Sequence, residues 1–283
     1  MQQKTLKNDL YIEGIGVHSG QKCSVRVKPS RENNGIVFIA IETGVKIIPS
    51  CKNVGYTAMC TQIANNHGDT IKTIEHIMAA LYGTGITNAI VEISGGEVPI
   101  LDGSAKIFIE EILKIGVELQ QSPRKILKIL APIQAMDGNK YIKAEPDRDF
   151  VIKAVYDFTS KGLKTDATEF DFSKNDFIKE IAPARTFGFM ADAEVIKKHN
   201  LALGASLENT VIYGDNGVPL NSEGLRMENE SVRHKILDFI GDISLSQYWM
   251  QGRFTCHCSG HSLNNIFLRL LLSNIERYEI LSN

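Results

Sequence analysis

SVRHKILDFIG, residues Ser231 to Gly241, can be laid over TIEHIMAALYG, Thr73 to Gly83, without a gap. Both begin with a hydroxyl residue, an aliphatic one, a charged one and a histidine, and six positions separate each histidine from a glycine. At about 100° per residue, His234, Asp238 and Asp242 fall within roughly 80° of one another, while Val232, Ile236, Phe239, Ile240 and Ile243 cluster opposite. The second copy is therefore a helix with an apolar core face and an acidic, imidazole-bearing face that must meet water, a metal or another part of the protein. From each histidine a similar interval leads to a glycine-containing turn and a last helix, GSAKIFIEEIL in one half and GHSLNNIFLRLLL in the other. The repeat predicts two copies of one fold, packed so that equivalent helices face each other.

Outward from these helices, LYIEGIGVHSGQKCSVRVKP and GIVFIAIETGVKIIPS read as strands broken by turn residues. A helix over Thr73 to Tyr82 ends in the Gly83, Gly85 pair, a C-cap signal. NAIVEI then reads as a strand, PILDGS as a turn and AKIFIEEILKIGVEL as an amphipathic helix. The polar, proline-containing QQSPRK (120–125) is the expected domain boundary. Beyond it KILKILAPIQAM, KYIKAEP and FVIKAVYDF read as strands, followed by a polar stretch, the helix to Asp242, the strand RFTCHCS and a final helix through NNIFLRLLL. The fold class is α+β: an N-terminal α/β domain over 1–122 and a C-terminal one over 123–283.

A chain of 283 residues is long for one core, which agrees with two domains. Its 43% hydrophobic and 23% charged residues describe a soluble globular protein, and a net charge of −2 argues against a general nucleic-acid binder. The N-terminal MQQKTLKNDLYIEG has no apolar signal-like run, and no stretch is apolar enough to span a bilayer, so a cytoplasmic protein is expected. Five cysteines without CxxC spacing suit reduced thiols. In Cys256-His257-Cys258 the reading is a strand, with Phe254, Cys256 and Cys258 on one face and His257 on the other.

Pseudo-symmetric packing would bring His76 and His234 together, with Asp238 one turn below His234 as a third ligand. Two imidazoles and a carboxylate, with a fourth position left for water, make the ligand set of a catalytic zinc site. The plain alternative for the His234/Asp238 pair is a solvated helix face. Glu75, beside His76 at a helix start, can act as general base, or be a first-turn glutamate favoured by the helix dipole. Lys235 can stabilise an oxyanion, or simply be solvated. His261 sits in a turn before a helix, where Asp242 can orient it and raise its pKa; the alternative is a capping or core-packed histidine. His18 and Thr186 are further loop candidates. Amide or ester hydrolysis is the chemistry these parts suit.

TIEHIMAAL, PILDGSA, ARTFGFM, HKILDFIGD and SGHSLNN, five separated motifs in order, resemble the UDP-3-O-acyl-N-acetylglucosamine deacetylases of Gram-negative bacteria along essentially the whole chain. The resemblance implies two similar α/β sandwich domains with the active site between them. It makes His76, His234 and Asp238 the ligands of one zinc ion per chain and Glu75 the base that activates water for attack on the acetamide. It gives zinc, Lys235 and the Thr186 hydroxyl the oxyanion, and makes His261, held by Asp242, the acid that protonates the leaving amine. It also implies an acylated UDP-amino-sugar substrate in lipid A biosynthesis, contacted by His18, Lys140, Phe187 and Asp192, and an insertion near 193–213 forming an apolar passage for the acyl chain. Cys60 would be a free thiol near the metal. A monomer is expected, with no transmembrane segment and transient proximity to the membrane surface. One departure is Cys258, where relatives commonly carry a basic residue suited to the diphosphate; Lys235, Lys140 or Arg253 would compensate. A zinc amidohydrolase acting on another amide is the alternative reading, and a binding module with a structural metal is a third.

Overall fold

Alternation of apolar and polar residues sets the strands. In Lys22–Pro29, Cys23, Val25 and Val27 are buried while Lys22 and Arg26 face water. The computed structural model describes residues 1–282. Its helices are α1 (Glu75–Thr84), α2 (Lys106–Ile115), α3 (Phe177–Glu180), α4 (Ala193–Lys198), α5 (Glu230–Ile243) and α6 (His261–Ser273). The α+β class is as expected.

In the N-terminal half, five strands order as Leu10–Ile15, Lys22–Pro29, Ala89–Ser94, Ile36–Ala40 and Val45–Ile47. The central Ala89–Ser94 pairs antiparallel with Lys22–Pro29 and parallel with Ile36–Ala40. The C-terminal half repeats this order. Ile133–Asp137 pairs with Lys140–Glu145, which pairs antiparallel with the central Trp249–His257. That strand pairs parallel with Phe150–Tyr156, whose other edge takes Asp166–Asp171. In each half one helix, α1 or α5, precedes the central strand and another, α2 or α6, follows it. Each half also joins its own ends antiparallel, Gln2–Leu6 to Val117–Pro123 and Lys125–Ile129 to Tyr278–Ser282.

Around the expected boundary, 120–125, Val117–Pro123 is a ladder strand, Arg124 is buried and a second strand starts at Lys125. Two local expectations need correction. The strand through Cys256 ends at His257, and Cys258 turns away with φ 47°, so it does not continue the face of Phe254 and Cys256. His261 is the first residue of α6 rather than a preceding turn. A small sheet of Val54–Tyr56, Gln62–Ala64 and Thr70–Ile71 was not legible, because its strands are shorter than one full period of alternation can declare.

One apolar cluster runs through both halves and includes Ile77, Ala80 and Leu81 of α1 and Ile236, Phe239 and Ile240 of α5. These helices pack on each other, so the polar stripe of α5 meets α1 rather than water, and His234, Asp238 and Asp242 are all buried. Glycine permits the approach. A Cβ on Gly241 would lie 2.2 Å from the Glu75 carbonyl oxygen and 3.0 Å from its Cα, contacts that backbone cannot accept. Within a helix Gly→Ala ordinarily stabilises by about 1 kcal/mol. Here Gly241→Ala is expected to destabilise by about 1–3 kcal/mol through overpacking, read as a lower denaturant midpoint; a raised midpoint would show that the helices separate freely.

Candidate active site

The crossing of α1 and α5 brings three donor groups together. His76, His234 and Asp238 each offer an atom within 4.8 Å of the others, and all three are buried. Asp238 Oδ1 is 3.2 Å from His234 Nε2 and 3.8 Å from His76 Nε2. A tetrahedral ion with donor bonds of about 2.0–2.1 Å holds its donors about 3.3 Å apart, so this spacing fits one metal ion. His234 Nδ1 faces the Ala184 carbonyl at 3.0 Å, which places its proton there and leaves Nε2 as a bare lone pair. Asp238 Oδ1 has no hydrogen-bond partner. Two buried lone-pair atoms facing each other call for a cation between them. Burial pushes His76 down to about 3, which keeps that ring neutral, as a ligand must be. Burial would raise the Asp238 carboxyl, but the Lys235 ammonium beside it helps hold it well below the usual range.

Beside these donors stand the Glu75 carboxyl and the His261 imidazole. Glu75 Oε2 accepts from the Thr61 N–H at 2.9 Å. Burial pushes its pKa up to about 8, with Asp238 and Asp242 adding to the rise and His261 opposing it. His261 Nδ1 lies 2.8 Å from Asp242 Oδ2, and its Nε2 is 3.9 Å from Asp238 Oδ2. Burial alone would lower the imidazole, but Asp242 and Asp238 raise it to about 9. Lys235 Nζ donates to Asp238 Oδ2 at 2.8 Å and lies 5.3 Å over the Phe187 ring.

A cavity of about 370 Å³ opens from Glu75 and His76, with His18, Thr186 and Phe187 in its wall. Its far wall comes from the 193–213 segment, through Ile196, Leu201, Leu203 and Ile212. That segment is α4, a loop and the strand Val211–Tyr213. Asp192 and Lys140 are not among the lining residues. Lys161 donates to Asp192 at 2.5 Å, and Lys140 is exposed at the hairpin turn beside Tyr141, which stacks on His257. Cys60 is a buried free thiol pushed up to about 12 by burial, hence protonated.

Several supporting residues escaped the sequence reading. Thr61 joins Glu75 to Asp242, since its N–H holds Glu75 and its hydroxyl donates to Asp242 Oδ1 at 2.5 Å. Asn264 donates to Asp242 Oδ2 at 2.8 Å; its spacing three residues after His261 on a helix was the available signal. Glu97 accepts from the His18 and Ser19 N–H groups and from the Thr73 hydroxyl, fixing the His18 loop. Arg185, fully buried, donates to Glu230 and Glu223 and so clamps Ala184 and Thr186 to the start of α5. The PILDGS turn receives Thr186, whose N–H donates to the Gly103 carbonyl at 2.7 Å. Gly103 has φ 82°, and a Cβ there would meet the Asn209 carbonyl at 1.8 Å.

Residues 3–273 match the family described as UDP-3-O-acyl N-acetylglycosamine deacetylase. A protein of Psychrobacter sp. (strain PRwf-1) named UDP-3-O-acyl-N-acetylglucosamine deacetylase is 41% identical over 100% of this chain and 96% of its own length. Proteins of the same name from Pseudomonas entomophila (strain L48) and Shewanella violacea are 44% and 40% identical, each over 99% of this chain and over 93% and 92% of their own lengths.

The donor geometry leads to an expected outcome for metal content by elemental analysis. The wild-type chain is expected to carry one equivalent of a divalent metal, His76→Ala to lose it, and Glu75→Gln to keep it. Loss of metal from Glu75→Gln would make Glu75 a ligand and remove it from the role of base.

Proposed function

This chain belongs to the UDP-3-O-acyl N-acetylglycosamine deacetylase family, and we propose on that premise that it hydrolyses the N-acetyl group of UDP-3-O-(3-hydroxyacyl)-N-acetylglucosamine with one zinc ion per chain. Acetate and UDP-3-O-acyl-glucosamine are the products, in lipid A biosynthesis. The observation that carries this reading is the convergence of the buried His76, His234 and Asp238, with His261 beside Asp238 and with Glu75 and His76 lining an apolar cavity.

His76, His234 and Asp238 would hold the zinc, which when bound would supply Lewis acidity toward the amide carbonyl and the attacking water. Glu75 takes the proton of that water; its raised pKa makes it a stronger base than an exposed glutamate. Lys235 and the Thr186 hydroxyl offer positive charge and a donor to the oxyanion. His261 holds its proton against burial because Asp242 stands on Nδ1, which leaves Nε2–H to serve the leaving amine. By resemblance His18, Phe187, Asp192 and Lys140 hold the sugar nucleotide, and His18 and Phe187 line the cavity wall. The 193–213 wall suits the 3-O-acyl chain.

The matching strand order and the gapless α1/α5 repeat support an internal duplication, with domains over 1–122 and 123–283 and the site at their interface. A cytoplasmic monomer is proposed. No helix among the described residues is long and apolar enough to cross a membrane, and the exposed Met190, Val195, Leu203 and Leu207 near the cavity support transient approach to a membrane surface. A zinc amidohydrolase acting on another amide would share the centre but have no use for the apolar cavity.

Two outcomes test the roles. Deacetylation of the acyl UDP-sugar is expected to fall about 10²-fold or more in Glu75→Gln, far beyond any change in KM. In a pH profile of kcat/KM, activity is expected to rise as Glu75 ionises and to fall as His261 loses its proton near pH 9. Asp242→Asn removes the carboxylate that raises His261, so the alkaline limb should move to lower pH; an unmoved limb would take His261 out of the acid's role.

A further inference from the structure

A second cavity, of about 260 Å³, lies away from the site described above. Its walls are the turn around Asn34, the C-terminal half of α1 through Leu81 and Tyr82, and the segment after α5 that ends at Trp249. Arg124 enters it from the junction of the two halves.

Arg124 is 5% exposed and lacks a counter-charge among the described residues. Its Nη2 donates to the Gly85 carbonyl at 2.7 Å, and its guanidinium lies 4.5 Å over the Trp249 ring, which stacks on Tyr82 at 4.4 Å. Its Nε is buried without any partner. Buried charges are ordinarily paired, and the fully buried Arg185 shows how this chain does it, with two glutamates. Around Arg124 the wall holds no aspartate or glutamate, only amides, hydroxyls, apolar side chains and a second cation, Lys125. Burial lowers the pKa of the guanidinium, the expected consequence of a charge without a partner.

We propose that this cavity is a binding site for a small oxyanion, a carboxylate or phosphate group paired with Arg124, carried by a compact body that packs on Leu81, Tyr82 and Trp249. A planar guanidinium without a carboxylate partner is the group best suited to such an anion. The volume is that of a metabolite rather than an acylated nucleotide. The position matters for function, because α1 carries Glu75 and His76 at its other end and the wall residue Ser244 follows Asp242 by two positions. An occupant bridges the two halves behind the helix pair that holds the active site, so it stabilises that pairing.

Trp249 is the only tryptophan, which makes its fluorescence a direct reporter of this cavity. The full-length, metal-loaded protein is titrated with sodium benzoate and, separately, inorganic phosphate, against sodium chloride at matched ionic strength. A saturable change in Trp249 emission that chloride does not reproduce is expected, and it should vanish in Arg124→Gln. Asn34→Leu, which fills the cavity without touching Arg124, should abolish it too and decides the matter if the Arg124 variant does not fold. A response to benzoate alone identifies carboxylates as the ligand class, and a response to both probes extends it to phosphate. Absence of a saturable change, or one that persists in Asn34→Leu, overturns the proposal.

Discussion

Everything at the active site depends on how closely α1 crosses α5. Gly241 lies against the backbone of Glu75, and only a residue without a Cβ allows that distance. The crossing sets His76 on one helix against His234 and Asp238 on the other, with ring centroids 5.1 Å apart for the two histidines. Gly83, the repeat's counterpart of Gly241, is held as tightly, since a Cβ there would meet the Phe177 ring at 2.1 Å. Both glycines therefore pack for shape, each against a different neighbour.

The crossing also buries charge, and the arrangement of polar groups shows how this is tolerated. Glu75, Asp238 and Asp242 sit together out of water, where three ionised carboxylates would repel one another strongly. Each has its own compensation: the Thr61 N–H for Glu75, Lys235 for Asp238, and Thr61, Asn264 and His261 for Asp242. Among the carboxylate oxygens the uncompensated one is Asp238 Oδ1, and it points between the two imidazoles. His76 Nδ1 and Asn264 Oδ1 are likewise buried without a hydrogen-bond partner. Pairing neighbours with opposite pKa shifts, a carboxyl pushed up and an imidazole held protonated, is what general acid–base chemistry near neutral pH requires.

The two halves achieve this with the same strand order and different embellishments. A small sheet of Val54–Tyr56, Gln62–Ala64 and Thr70–Ile71 precedes α1, whereas α4, a loop and Val211–Tyr213 precede α5 and close over the cavity. The Arg185 clamp stands between that insertion and α5, so the segment bearing Thr186 is fixed to the same helix that carries His234.

The helix pair and the α+β class can be read from the chain alone, because a polar stripe opposite an apolar face and a gapless repeat are local patterns. His76, His234, Asp238, Glu75, His261 and Asp242 were legible for that reason. Thr61 and Glu97 were not, since a backbone N–H and a buried acceptor act through neighbours 14 to 181 positions away and leave no periodic mark. Three outcomes lie outside that reach: the stripe faces protein rather than water, Asp192 pairs with Lys161, and Arg124 is buried at the expected boundary. Those outcomes depend on which surfaces meet when two halves close, a property of packing across the chain that no single segment encodes.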